Sequence, residues 1–321
     1  MRREALAAGL AAVCLWGLAP VATRAAVAHL DPLPLLVIRF AVASLVLLPW
    51  AWPVFGRLRP GAAGRLVAAG LLGIVGYTLP VTMGLRWLPA ATAGLLLATE
   101  PVWVLLLGRL FTRERGGVRA WLGSAVALAG VAVLAGPTAI GGGDGGARLL
   151  AGAGLVLAGT LSFAAYTIAL RPLAQEYGAV PATAASTVVG SVPYLAAIGT
   201  LPGAHLARLG PAVWAELGFL AVGCTAAGLL LWSVATVSGN ITRVSQLLYL
   251  EPIVSVAGAA GFLGERITAL MIGGGAVILT GVAVSGTGRA AASSQEAGEA
   301  NDRNAARTSE TNTSGRSSAA K

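Results

Sequence analysis

Leu96–Leu107 reads LLATEPVWVLLL, a carboxylate and a proline side by side within an apolar run. Glutamate is costly in hydrocarbon and proline removes a helical N–H, so their joint placement needs a reason. The pair returns at Leu247–Gly258 as LLYLEPIVSVAG. Residues 100–133 lie on residues 251–284 at a constant offset of 151 without a gap. Glu100-Pro101 then falls on Glu251-Pro252, Phe111 on Phe262, and Glu114-Arg115 on Glu265-Arg266. GSAVALAGVAV (Gly123–Val133) falls on GGAVILTGVAV (Gly274–Val284). Ala/Gly/Val runs match by chance; the spaced Glu-Pro and Phe-x-x-Glu-Arg groups do not. Upstream the match is weaker, with Trp16–Arg24 set on Phe163–Arg171 at a slightly different offset.

The chain around this repeat is 321 residues long, 56% hydrophobic and only 11% charged, with a mean hydropathy of +0.78. A soluble chain carries roughly 25% charge, and a membrane-crossing helix needs about 20 apolar residues. The expected fold is therefore an all-α integral membrane protein with ten spans, near 5–26, 33–55, 65–84, 90–111, 117–136, 149–170, 180–201, 212–235, 241–263 and 269–287. Turn-forming stretches such as HLDPLP, GRLRPG and LPGAHLARLGP separate them. The expected organisation is a first five-helix repeat over 1–136, a Gly-rich connector over 137–148, a second, inverted repeat over 149–288, and a disordered cytoplasmic tail over 289–321. The tail lacks large apolar residues and cannot bury a core. The N-terminal segment resembles a signal peptide but is read as a retained span, because the apolar run is long and has a later counterpart.

The net charge of +9 does not point to nucleic acid, because the arginines cluster at span ends. With the N-terminus in the cytoplasm, twelve arginines fall inside, among them Arg57, Arg59, Arg109, Arg113, Arg115 and Arg119. Five fall outside: Arg24, Arg86, Arg148, Arg208 and Arg266. Both termini are thus expected in the cytoplasm. Five spans per repeat is odd, so the second half enters the membrane upside down. The loop after span nine has shed the arginines that its counterpart after span four keeps. Inverted repeats are a recurring construction of secondary transporters, and proline-interrupted spans at matching places point to a midplane site.

Pro101 and Pro252 are expected helix breaks, which remove the partners of the Leu97 and Leu248 carbonyls. Such breaks survive in a membrane where protein or a wet cavity serves the freed groups. Glu100 and Glu251 should face the bundle interior as candidate proton or charge sites, or serve as structural joints. The candidate cavity wall is Trp16, Tyr77, Thr78, Tyr166, Trp232, Gln246 and Tyr249. Gln246 and Tyr249 share a helical face next to the second break. Thr82, Ser162, Thr225, Thr236 and Thr242 extend these polar faces. Arg39, early in span two, either snorkels to the interface, pairs with Glu100, or meets an anionic group of the solute.

Cys14 and Cys224 lie in apolar spans without a CxxC neighbour, and His29 and His205 fall in loops. No metal and no cofactor is expected. A membrane enzyme is disfavoured. GGGD at Gly141–Asp144 resembles the GxGD element of intramembrane aspartyl proteases, yet no second aspartate lies in a span. There is no HExxH and no P-loop. A channel or scaffold is the rival of another class, and gives no reason for paired broken helices.

With its ten spans and repeated Glu-Pro … Glu-Arg signature, the sequence resembles the EamA family of the drug/metabolite transporter superfamily over about residues 5–288. Trp16-Gly17, Arg39-Phe40, Glu100-Pro101 with Glu114, and Glu251-Pro252 with Glu265 carry the likeness. The resemblance implies a central cavity between inverted five-helix repeats and transport of small organic solutes, often efflux of amino acids or related metabolites. The expected partners are a small-molecule solute and the lipid bilayer, with no nucleic acid; a homodimer is left open. Import or exchange is the alternative direction. Arginine in place of nearly all lysine points to a GC-rich bacterial genome, hence the bacterial cytoplasmic membrane.

Overall fold

The computed structural model describes residues 3–111, 117–140, 144–238 and 246–285, without the side chains of 135–144, 205 and 237–246. Every long apolar run is helical, because in hydrocarbon a backbone must satisfy its own N–H and C=O groups. The helices are α1 (Arg3–Ala26), α2 (Pro32–Phe55), α3 (Pro60–Gly84), α4 (Ala90–Phe111), α5 (Val118–Ile140), α6 (Asp144–Tyr177), α7 (Ala179–Ala196), α8 (Pro211–Thr236), α9 (Leu247–Leu263) and α10 (Ala269–Ser285). Prolines at the first turn of α2, α3 and α8 fix their starts, where a missing N–H costs nothing. Seven of the helices are long and apolar enough to cross a membrane; α5, α9 and α10 supply shorter apolar stretches within the described residues.

Several helices run beyond the expected span bounds, most of all beside the 137–148 connector. The 137–148 stretch is largely helical, since α5 runs to Ile140 and α6 begins at Asp144. Each glycine lowers helix propensity by only about 1 kcal/mol, too little to unwind a helix propagated from an apolar span. The Glu114-Arg115 motif, Thr242 and the 289–321 tail lie outside the described residues.

The helices pack in pairs that exchange when the halves are exchanged. α1 packs on α8 and α9, as α6 packs on α3 and α4. α2 packs on α7, which is its own image, and α4 packs on α9 likewise. Between α5 and α10 the seam is made of small residues. A Cβ at Gly130 would lie 2.7 Å from the Ile278 amide and 2.8 Å from the Gly274 carbonyl, and one at Gly123 would strike Gly281 and Ser285. These helices are antiparallel. The pair Gly123–Gly281 becomes Gly274–Gly130 under the 151-residue offset, so the contact is its own image.

Among the described residues, connections gather at both ends of the bundle. Arg24, His29, Arg86, Arg148 and Glu265, from four connections, line one cavity of about 1010 Å³. At the other end Arg59, after α2, pairs with Glu176 of α6 at 3.2 Å. Three of the five arginines expected outside thus share one end.

Candidate functional site

Both Glu-Pro pairs open a half-helix. α4 is interrupted at Ala98-Thr99, and its second part runs Glu100–Phe111. α9 begins as a 3₁₀ turn over Gln246–Leu250 and becomes α-helical over Glu251–Leu263. Proline is tolerated in a first helical turn, where the amide is unpaired anyway, and a carboxylate there meets the positive end of the helix dipole. This is the physical content of the repeated dipeptide. The break in α4 falls slightly earlier than Pro101 alone dictates. Beside the break, the Thr99 hydroxyl donates to the Leu96 carbonyl at 2.7 Å and accepts from Trp103 Nε1 at 3.2 Å.

Gly17 and Gly94 bring the breaks into the bundle. A Cβ at Gly17 would lie 2.7 Å from the Glu251 carbonyl, and one at Gly94 would strike the Ser255 hydroxyl. α1 therefore rides on the backbone of α9, and α4 on its Ser255 side chain.

A second backbone irregularity recurs at matching places. α3 is π-helical over Leu71–Val75 and α8 over Phe219–Ala227. A π turn misaligns carbonyls, and each segment has one served from the facing helix. Ser162 of α6 donates to the Leu72 carbonyl at 2.9 Å. Trp16 of α1 donates through Nε1 to the Cys224 carbonyl at 2.9 Å. The sequence contains no simple signal for these segments beyond their glycines.

Around the breaks, Glu100, Glu251 and Tyr77 lie within electrostatic reach of one another, and Arg39 lies within reach of Tyr77, Tyr194 and Cys224. All four predicted groups lie within the helical spans and are half-buried. Arg39 does not pair with Glu100 and does not snorkel: its Nε donates to Thr225 Oγ1 of α8 at 3.1 Å, and its guanidinium sits 5.3 Å from the Phe40 ring centre.

The aromatic residues form two groups. Trp16 and Trp232 meet at 5.5 Å between ring centres, and Tyr77, Phe163 and Tyr166 form a chain at 4.8 and 5.2 Å. Tyr249 is half-buried on the 3₁₀ turn beside Glu251. The Gln246 side chain lies outside the described residues. Two expected wall residues are spent on packing. Thr78 is buried, with its hydroxyl on the Ile74 carbonyl and the Tyr194 phenol. Tyr166 is buried, with its ring against Phe163 and the backbone at Gly73. Thr82 is also buried, and Thr236 bonds carbonyls of its own helix. Sequence reading missed Tyr194, Phe163 and the pairing of Arg39 with Thr225. His29 lines the basic end cavity.

A chain of apolar helices in which two Glu-Pro pairs open half-helices among charged groups has the build of a membrane transporter. The EamA-like transporter family model matches residues 3–136 and again residues 150–287, and the chain belongs to this family, within the drug/metabolite transporter superfamily. It is an integral membrane protein. It is 32% identical over 247 residues to a protein of Streptantibioticus cattleyicolor named "Probable terminal-alkyne amino-acid exporter", covering 76% of this chain and 80% of that one. It is 27% identical over 295 residues to a "Probable amino-acid metabolite efflux pump" of Salmonella typhimurium, covering 86% and 92%. A solved crystal structure shares its fold with a TM-score of 0.59 at 21% identity, over 89% of this chain and 97% of the other.

Proposed function

We propose that the protein is a secondary active exporter of small organic metabolites, amino acids or related compounds, working by alternating access. The observation that carries this reading is the pair of half-helices, opening at Glu100 and Glu251, that meet around half-buried charged and aromatic side chains. Half-helix N-termini beside a midplane cavity are how such transporters hold polar solutes within hydrocarbon. The names of the two relatives favour amino-acid chemistry and the outward direction.

In this reading ten spans form two inverted five-helix repeats, 1–136 and 149–288, with both termini and the 289–321 tail in the cytoplasm. The double family match and the self-image of the α5–α10 contact support the repeat. Two antiparallel helices exchanged by a two-fold require an axis perpendicular to them, which for spanning helices lies in the membrane plane. Rocking of one repeat against the other then opens the cavity to alternate faces. Glu100 and Glu251 are the sites of proton exchange if transport is proton-coupled.

The test is counterflow in proteoliposomes preloaded with unlabelled L-amino acids. Saturable, trans-stimulated uptake of a labelled amino acid is expected. Ohmic, non-saturating conductance would replace the transporter reading with a channel, and no flux of any solute would leave a scaffold.

A further inference from the structure

We infer that Arg39 is the carboxylate receptor of the central cavity, aimed by Thr225, and that the cavity selects solutes carrying a carboxylate and an ammonium group together. This rests on the transporter reading and narrows it to head-group chemistry.

An arginine inside an apolar helix is expensive unless paired, and a structural one recruits a carboxylate. Among the described residues the ion pairs are Arg59–Glu176 and Arg86–Asp31, both at bundle ends. Arg39 has instead the single bond from Nε to Thr225, at 3.1 Å. Thr225 is held in turn, because its hydroxyl donates to the Leu220 carbonyl at 2.8 Å, the five-residue step of the π segment. With that proton committed, the hydroxyl offers Arg39 only a lone pair. Nε is thereby fixed, and the two terminal nitrogens keep their N–H groups for another acceptor. Their planar fork matches a carboxylate.

A carboxyl group stands nearby along α1: Trp16 donates to the Cys224 carbonyl, next to Thr225, and its neighbour Gly17 lies against the Glu251 carbonyl. Glu100 opens the matching half-helix of α4, and no carboxylate comes within ion-pair distance of Arg39 among the described residues. A purely anionic solute would meet two carboxyl groups, and a purely cationic one would meet Arg39. A zwitterion satisfies both ends at once. The aromatic groups around Trp16–Trp232 and Tyr77–Phe163 are left to face its side chain.

The experiment is counterflow by the full-length protein in liposomes, with three matched panels of neutral L-amino acids: the free acids, their C-terminal amides and their N-acetyl forms. The wild-type protein should prefer free acids over both derivatives by at least about tenfold, since a site built around buried polar groups rejects analogues that leave them unpaired. Arg39→Gln and Arg39→Lys should bring acid and amide within about threefold of each other, while discrimination against N-acetyl forms stays. Thr225→Val should raise KM severalfold with kcat little changed, and Thr225→Ser should restore it; elution as a monodisperse peak shows that each variant is folded. Acid-over-amide preference that survives Arg39→Gln overturns the inference, as does wild-type transport of amides at the rate of acids. Either result leaves the transporter reading standing. Absence of flux for every panel and for uncharged metabolites strikes that reading itself.

Discussion

The carboxylate of Glu265 accepts the amide of Ala90 at 2.7 Å, and its second oxygen accepts Ala91 at 3.0 Å. The loop after α9 thus caps the first turn of α4, joining the two broken helices at one end of the bundle. Gly264 makes this possible. Its left-handed backbone (φ 64°) ends α9 and turns Glu265 back.

Removing this cap should destabilise the protein. Glu265→Ala leaves two N-terminal amides unserved, at a cost of about 0.5–2 kcal/mol. Glu265→Gln keeps one carbonyl acceptor and should lose less. Thermal unfolding in detergent, followed by size-exclusion of the remaining folded fraction, ranks the variants. A melting point of Glu265→Ala equal to that of the parent protein would show the cap to be idle.

The α5–α10 seam predicts a sharper penalty. A Cβ at Gly281 would strike the Ala127 amide and the Gly123 carbonyl, which are backbone atoms of a rigid helix. Gly281→Val should cost roughly 1–3 kcal/mol, the usual range for overpacking. Gly61→Ala, where nothing lies within 4 Å, should be neutral in the same assay. Equal melting points would mean that the helices do not approach as described.

The spans and the breaks were legible because their causes are local. Apolar length, first-turn prolines and a buried acid beside Pro101 or Pro252 each act within one turn of helix. The π segments at Leu71–Val75 and Phe219–Ala227 were not legible. Whether a carbonyl can be misaligned there depends on Ser162 or Trp16 arriving from another helix. The same holds for Arg39, whose partner Thr225 is 186 positions away. Thr78 and Tyr166 look like cavity residues on a helical wheel, yet Tyr194 of α7 takes up the Thr78 hydroxyl, and Phe163 and Gly73 enclose the Tyr166 ring.

Those remote partners give a third prediction. Ser162→Ala leaves the Leu72 carbonyl without its donor inside the bundle. Interhelical hydrogen bonds in membranes are worth on average about 0.6 kcal/mol, so the stability loss should be small. The effect on turnover should be larger than on stability, because the π segment of α3 leads into Tyr77 and that of α8 contains Thr225, the partner of Arg39. Counterflow rates and melting points measured on one preparation separate the two. A rate unchanged within error would make the bond purely structural.

The proposed inversion of the repeats makes a topological prediction. Single cysteines at Arg115 and Arg266 stand at equivalent places in the two halves. In a background free of Cys14 and Cys224, a membrane-impermeant maleimide should reach Arg266→Cys from outside intact cells and Arg115→Cys only after permeabilisation. Labelling of both from the same face would mean parallel halves, and rocking about an in-plane axis would lose its basis.

The last prediction concerns the breaks themselves. Glu100 and Glu251 sit at equivalent places, each in the first turn of its half-helix. A glutamine there keeps the size and a carbonyl acceptor toward the helix N-terminus, but it cannot exchange a proton. If the proposed proton coupling is correct, Glu251→Gln should still fold and bind solute, while the dependence of counterflow and net efflux on pH flattens. Glu100→Gln should act in the same sense, and the double variant should add little to whichever single change is larger if, as proposed, the two carboxyls serve one site and do not act independently. The measurement is net efflux from proteoliposomes under an imposed pH gradient, with counterflow at symmetric pH as the internal control. Efflux by Glu251→Gln that follows the gradient as steeply as the parent protein removes that residue from proton exchange. It would leave the Glu-Pro pair as a joint whose work is to start a helix at midspan.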